Sequence, residues 1–138
     1  MIPAGEQQRA PIVFVSASAE DARAFRELVD SSRWLVVNVP DLAGANAVID
    51  KLRPRLVMCD TEIEGRGSWR DLLEGRPDFA LIVVTWHADE ALWAEVLNLG
   101  GAEVFDKPFT VEHVERVIGL GLRAQPPSAP ATIYAGST

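Results

Sequence analysis

The chain has 138 residues, the length of one domain, and its 48% hydrophobic and 24% charged content sits near the globular average. Twenty acidic residues against thirteen basic ones give a formal charge of −7, with a pI near 4.8 and a mean hydropathy of +0.07, so nucleic acid and anionic membrane surfaces are poor partners for it. The single cysteine, Cys59, allows no internal disulfide and no cysteine-built metal site, and residues 1–10 carry Glu6 and Arg9 without an apolar run; a reducing compartment, the cytoplasm, is the expected location, with no signal peptide or membrane span.

Residues 11–16 form a short apolar run rich in β-branched side chains, which predicts a strand, β1, buried on both faces. Ser18 then supplies a helix cap, and Glu20 and Asp21 place negative charge in the first turn of α1 (19–31), whose apolar face is Ala22, Phe25, Leu28 and Val29. Residues 34–39 predict β2, stopped by Pro40. Asp41 caps α2 (42–52), with Leu42, Ala45, Val48, Ile49 and Leu52 along one side. The third apolar run, β3 (55–59), ends on Asp60 and opens into an exposed loop, 61–68, that holds two glycines and two glutamates.

A short α3 (69–73) and the most hydrophobic strand, β4 (79–85), follow. α4 (87–99) carries Ala88, Leu92, Val96 and Leu99 and stops at Gly100 and Gly101, where glycine can take the left-handed conformation that ends helices. β5 (102–106) is short. Thr110 caps α5, with Val111, Val114, Val117, Ile118 and Leu122 on one side and His113 expected to face solvent. Residues 124–138, with three prolines and no charge, read as a flexible tail or linker, residues 1–10 as a flexible N-terminus, and 11–123 as the one domain.

Alternating strands and helices with short connections imply a three-layer (βα)5 α/β fold, a doubly wound parallel sheet in the flavodoxin-like order 2-1-3-4-5. Functional loops then lie at the carboxyl ends of the strands. Those ends offer a carboxylate, Asp60, a hydroxyl, Thr85, and an ammonium, Lys107, each from a different strand. Cys59 reads as a small buried core residue, and His87 and His113 lack a ligand-spaced partner for a metal. No P-loop, dinucleotide fingerprint or nucleophile elbow is present.

Three features in this order resemble the response regulator receiver domain of two-component signalling: β3 ending in Asp60, β4 ending Ile82-Val-Val-Thr85, and the stretch Gly101-Ala-Glu-Val-Phe-Asp-Lys107-Pro108-Phe109. The resemblance covers about residues 11–123. It implies that Asp60 is the phosphoacceptor for a histidine kinase, and that Thr85 and Lys107 bind the phosphoryl oxygens. It also implies partner contacts through the α4-β5-α5 face, with homodimerisation left open.

The same pattern shows departures. Typical receivers follow β1 with an acidic pair that anchors Mg²⁺, and here Ser16 and Ala17 stand there. Glu20 and Asp21 read as caps of the helix dipole, and Asp60 and Glu62 are weak metal candidates, so neither Mg²⁺ nor another cofactor is expected. Trp86 replaces a small residue and is expected to narrow access to Asp60. Val104 matches the aromatic switch position, with Phe105 on the opposite face. The expectation is a degenerate or pseudo-receiver in a phosphorelay, acting by protein contacts and not as an enzyme. The alternative is a working phosphoacceptor that at most accelerates its own phosphorylation at Asp60.

Overall fold

The computed structural model describes residues 9–75 and 77–123. The expected tail, 124–138, and all but the last two residues of the expected N-terminal segment, 1–10, lie outside them. Five parallel strands, β1 (Ala10–Val15), β2 (Trp34–Val39), β3 (Leu56–Asp60), β4 (Ala80–Thr85) and β5 (Glu103–Asp106), form one sheet in the order β2-β1-β3-β4-β5. The helices between and after them are α1 (Ala19–Leu28), α2 (Leu42–Leu52), α3 (Trp69–Leu72), α4 (Glu90–Asn98) and α5 (Val111–Arg123). The expected α/β order is therefore the observed one, although β1 opens at Ala10, inside the span expected to be flexible.

Because side chains alternate across a strand, each central strand feeds two cores. Ile12, Phe14, Met58, Ile82, Val84 and Phe105 point to one face, where Ala22 and Phe25 of α1 and Val114 and Val117 of α5 cover them. Val13, Val15, Val57, Cys59, Leu81, Val83 and Val104 point to the other, under Ala45, Trp69, Leu72 and Val96 from α2, α3 and α4. Phe105 and Val104 thus occupy opposite faces, as the alternation requires.

Caps decide where the helices begin. Ser18 accepts the Asp21 N–H, Asp41 accepts that of Gly44 and Thr110 that of His113, while Ser68 and Asp71 satisfy each other's backbone in a capping box. α4 starts at Glu90 and not at 87 because Asp89 takes the Leu92 N–H as its cap. α1 ends at Leu28 and not at 31: Val29 is extended, and Asp30 accepts both the N–H and the hydroxyl of Ser32, closing a tight turn. The β5-α5 connection is pinned by Phe109, whose ring meets Phe14 and Phe25 edge-on at 5.8 and 5.4 Å. That anchor fixes the backbone two residues from Lys107. No helix among the described residues is long and apolar enough to cross a membrane.

Candidate functional site

The carboxyl ends of β1, β3, β4 and β5 bring Ser16, Asp60, Thr85 and Lys107 together, all four buried. Asp60 is 2% exposed, and donors face both of its oxygens. Its Oδ2 accepts from Lys107 Nζ at 2.7 Å and from Ser16 Oγ at 2.9 Å; its Oδ1 accepts from the Glu62 N–H at 3.0 Å. Three donors to one carboxylate offset much of the cost of burying it.

Lys107 is held from the other side as well. Its Nζ donates to Asp21 Oδ2 at 2.6 Å, so one ammonium bridges two carboxylates. In the sequence Asp21 reads first as a cap of the helix dipole. Its backbone does take the Ser18 cap, but the first turn of α1 also carries its side chain over the strand ends. Burial lowers the Lys107 pKa, and the hydrogen bonds and charges of Asp21 and Asp60 more than reverse that, leaving it above the ordinary lysine value. Glu20 stays exposed.

Ser16 holds the first position of the missing acidic pair and acts as an adapter: its hydroxyl donates to Asp60 and accepts the Ser18 N–H at 3.0 Å. Ala17 is exposed, and its N–H donates to the Glu62 carbonyl at 3.3 Å. The Glu62 side chain is exposed, so that residue meets Asp60 through its backbone.

Thr85 does not bond Asp60. Its hydroxyl oxygen accepts from the Thr61 hydroxyl at 3.1 Å and from the His87 N–H at 3.3 Å. Trp86 is half exposed, with its ring 5.3 Å from Lys107 Nζ, a cation–π distance, so it lies over the ammonium. Cys59 is fully buried, and burial followed by the Asp60 charge pushes its thiol up to about 12. Among the described residues, no cluster of three or more His, Cys, Asp or Glu side chains is arranged to hold a metal ion.

The expectation for His113 needs correction. Its ring stacks on Phe105 at 4.3 Å between centroids and 16° between planes, and its Nδ1 accepts the Thr110 N–H. Desolvation, then the Arg116 charge, lower its pKa against the opposing carboxylates of Asp106, Glu112 and Glu103. His113 lies one position before Val114 and four before Val117, at the border of the buried face of α5, a spacing that carries the signal.

No family model and no curated protein matches this chain. Solved structures do. A response regulator from Thermotoga maritima is 22% identical with a TM-score of 0.71, over 81% of this chain and 97% of that one. The BeF3-activated N-terminal receiver domain of RstA from Klebsiella pneumoniae is 23% identical with a TM-score of 0.70, over 82% and 98%. NtrX from Brucella abortus is 20% identical with a TM-score of 0.71, over 83% of this chain and 27% of its own, so there the similar region is one part of a longer chain. The chain has the fold of response regulator receiver domains.

Proposed function

We propose that the protein is a receiver-type signalling module of a two-component or phosphorelay system that works through protein contacts without a Mg²⁺-dependent phosphorylation cycle. The observation that carries this reading is the Lys107 ammonium bridging Asp21 and Asp60. Mg²⁺ demands near-octahedral oxygen ligation with one or two carboxylates among its ligands. Here both Asp60 oxygens face hydrogen-bond donors, the Glu62 carbonyl takes the Ala17 N–H, and a serine and an alanine stand where the anchoring pair would be. This donor set, as arranged, does not fit the ion. A monovalent cation built into the chain is shared by the two carboxylates in its place and offsets one of their two charges.

Phosphoryl transfer to a carboxylate needs the charge on the incoming group neutralised in the transition state. With Lys107 shared between two carboxylates, Asp60 2% exposed and the Trp86 ring over the ammonium, that neutralisation is weak and the approach is narrow. The partner surface in this reading is the α4-β5-α5 face; Leu97 of α4, its C-cap Leu99 and Val111 at the start of α5 are about half exposed. A second reading keeps Asp60 as a phosphoacceptor for a histidine kinase, favoured by the Asp60–Lys107 contact at 2.7 Å.

Incubation with a small phosphodonor and Mg²⁺, read by intact mass, separates the two readings. No phosphoryl increment supports the first. A robust increment that disappears in Asp60→Asn establishes the second.

A further inference from the structure

At the opposite end of the sheet, below the amino ends of β1, β2 and β3, a cleft of about 690 Å³ is lined by Arg33, Arg53, Arg55, Trp34, Ile118 and Leu122. That volume falls in the range of small-molecule sites. From these residues we infer that the cleft binds a small organic phosphate with a flat apolar body, of nucleotide type.

The first ground is charge. The chain carries −7 overall, yet three guanidinium groups line one cleft, and among the described residues none of them has a carboxylate oxygen within 4.0 Å. The arginines that do form ion pairs, Arg70 and Arg116, lie elsewhere, on Glu95 and Glu103. A helix C-terminus attracts cations, and this accounts for part of the cluster: Arg53 Nε donates to the Asp50 carbonyl and Arg55 Nη1 to that of Gly121. Each contact uses one of five donors. The one carboxylate in the lining, Asp30, takes two hydrogen bonds from Ser32 on its Oδ1 and feels the Arg33 charge, so it offsets one of the three positive charges and leaves the lining with a net excess of two.

The second ground is the backbone. Arg53 sits at the left-handed C-cap of α2 with φ 49°, where glycine or asparagine is the less strained choice. Arg33 and Arg55 each immediately precede a strand, and their carbonyls accept the N–H groups of Ala10 and Ala80. Three arginines thus stand on rigid positions, one of them at a conformational cost.

The third ground is the apolar wall. A Cβ at Gly121 would meet Leu56 Cδ1 at 2.8 Å and Trp34 Cη2 at 3.2 Å, so α5 lies directly on the tip of the indole, and Ile118 and Leu122 of the same helix line the cleft with it. Guanidinium groups suit phosphate oxygens, and an indole with aliphatic neighbours suits a flat ring.

Calorimetric titration of the full chain without divalent metal tests this, using ATP and GTP as probes with inorganic phosphate and adenosine as half-ligands. A nucleotide is expected to bind one to one, with each half-ligand weaker by about tenfold or more. Arg33→Gln and Arg55→Gln should each weaken it by roughly tenfold, the loss of one charge-assisted hydrogen bond. Asp60→Asn should leave it unchanged. If Arg55→Gln fails to fold, Arg33→Gln carries the test, because the Arg33 side chain is exposed and has no side-chain hydrogen bond or ion pair among the described residues. The inference is overturned by the absence of binding at millimolar nucleotide, by binding that Arg33→Gln leaves intact, by binding that Asp60→Asn abolishes, or by inorganic phosphate binding as tightly as the nucleotide.

Discussion

Replacing Lys107 with methionine removes the one cation between two carboxylates while keeping most of the side-chain volume. Breaking a buried ion pair by deleting one partner costs about 3–5 kcal/mol. The upper end does not apply here, because Asp21 keeps 19% of its side chain in solvent and Asp60 keeps its hydrogen bonds from Ser16 and Glu62. The expected loss at pH 7 is therefore about 2–4 kcal/mol, or roughly 8–16 °C in melting temperature for a domain of this size. Urea denaturation followed by circular dichroism measures it. The sign with pH follows from the raised Lys107 pKa: its stabilisation is complete below about pH 10.4 and is lost as pH climbs through the higher folded value. The gap between wild type and Lys107→Met should stay constant near neutrality and close only in strong alkali. In a double-mutant cycle, Lys107→Met and Asp60→Asn should be clearly less than additive. A loss below about 1 kcal/mol together with additivity would refute the bridge as a structural element.

Three further outcomes are expected. Ser16→Asp with Ala17→Asp restores an acidic pair and should create calorimetrically measurable Mg²⁺ binding, at a cost of roughly 2–4 kcal/mol without metal because carboxylates then crowd Asp60 without added cations. His113 has a lowered pKa, so the unfolded chain binds its proton first and acid destabilises the fold; melting temperature should fall as pH drops from 7 through 6, and His113→Phe should flatten that part of the profile. Cys59, buried and with its thiol pushed up to about 12, should resist a disulfide-exchange reagent in the native state and react at once in urea.

Much of this arrangement is legible in the sequence, because it depends on local pattern. Uninterrupted β-branched runs mark strands covered on both faces, and Asp60, Thr85 and Lys107 are found by counting to strand ends. Ser16 and Ala17 are found by the same count, as positions lacking an expected charge. Asp21 is different. It lies 86 residues from Lys107, and a role as a first-turn acid is the simpler reading of it; only the docking of α1 beside the β5-α5 loop brings the two side chains together. Thr61 is missed as a partner of Thr85 because it lies one residue past the end of β3, where spacing says nothing about direction. His113 was recoverable, since the four-residue step to Val117 places it at the buried border of α5.

In the proposed reading the internal ammonium of Lys107 takes the place of a divalent ion at Asp60. An amide NMR titration of the native chain with millimolar Mg²⁺ tests it most directly, read at Ser16, Asp60, Thr61 and Glu62. The bridged pocket predicts no saturable shift at those four amides, and the same titration of Ser16→Asp with Ala17→Asp should produce one. Saturable shifts centred on Asp60 and Glu62 in the native chain would contradict the claim.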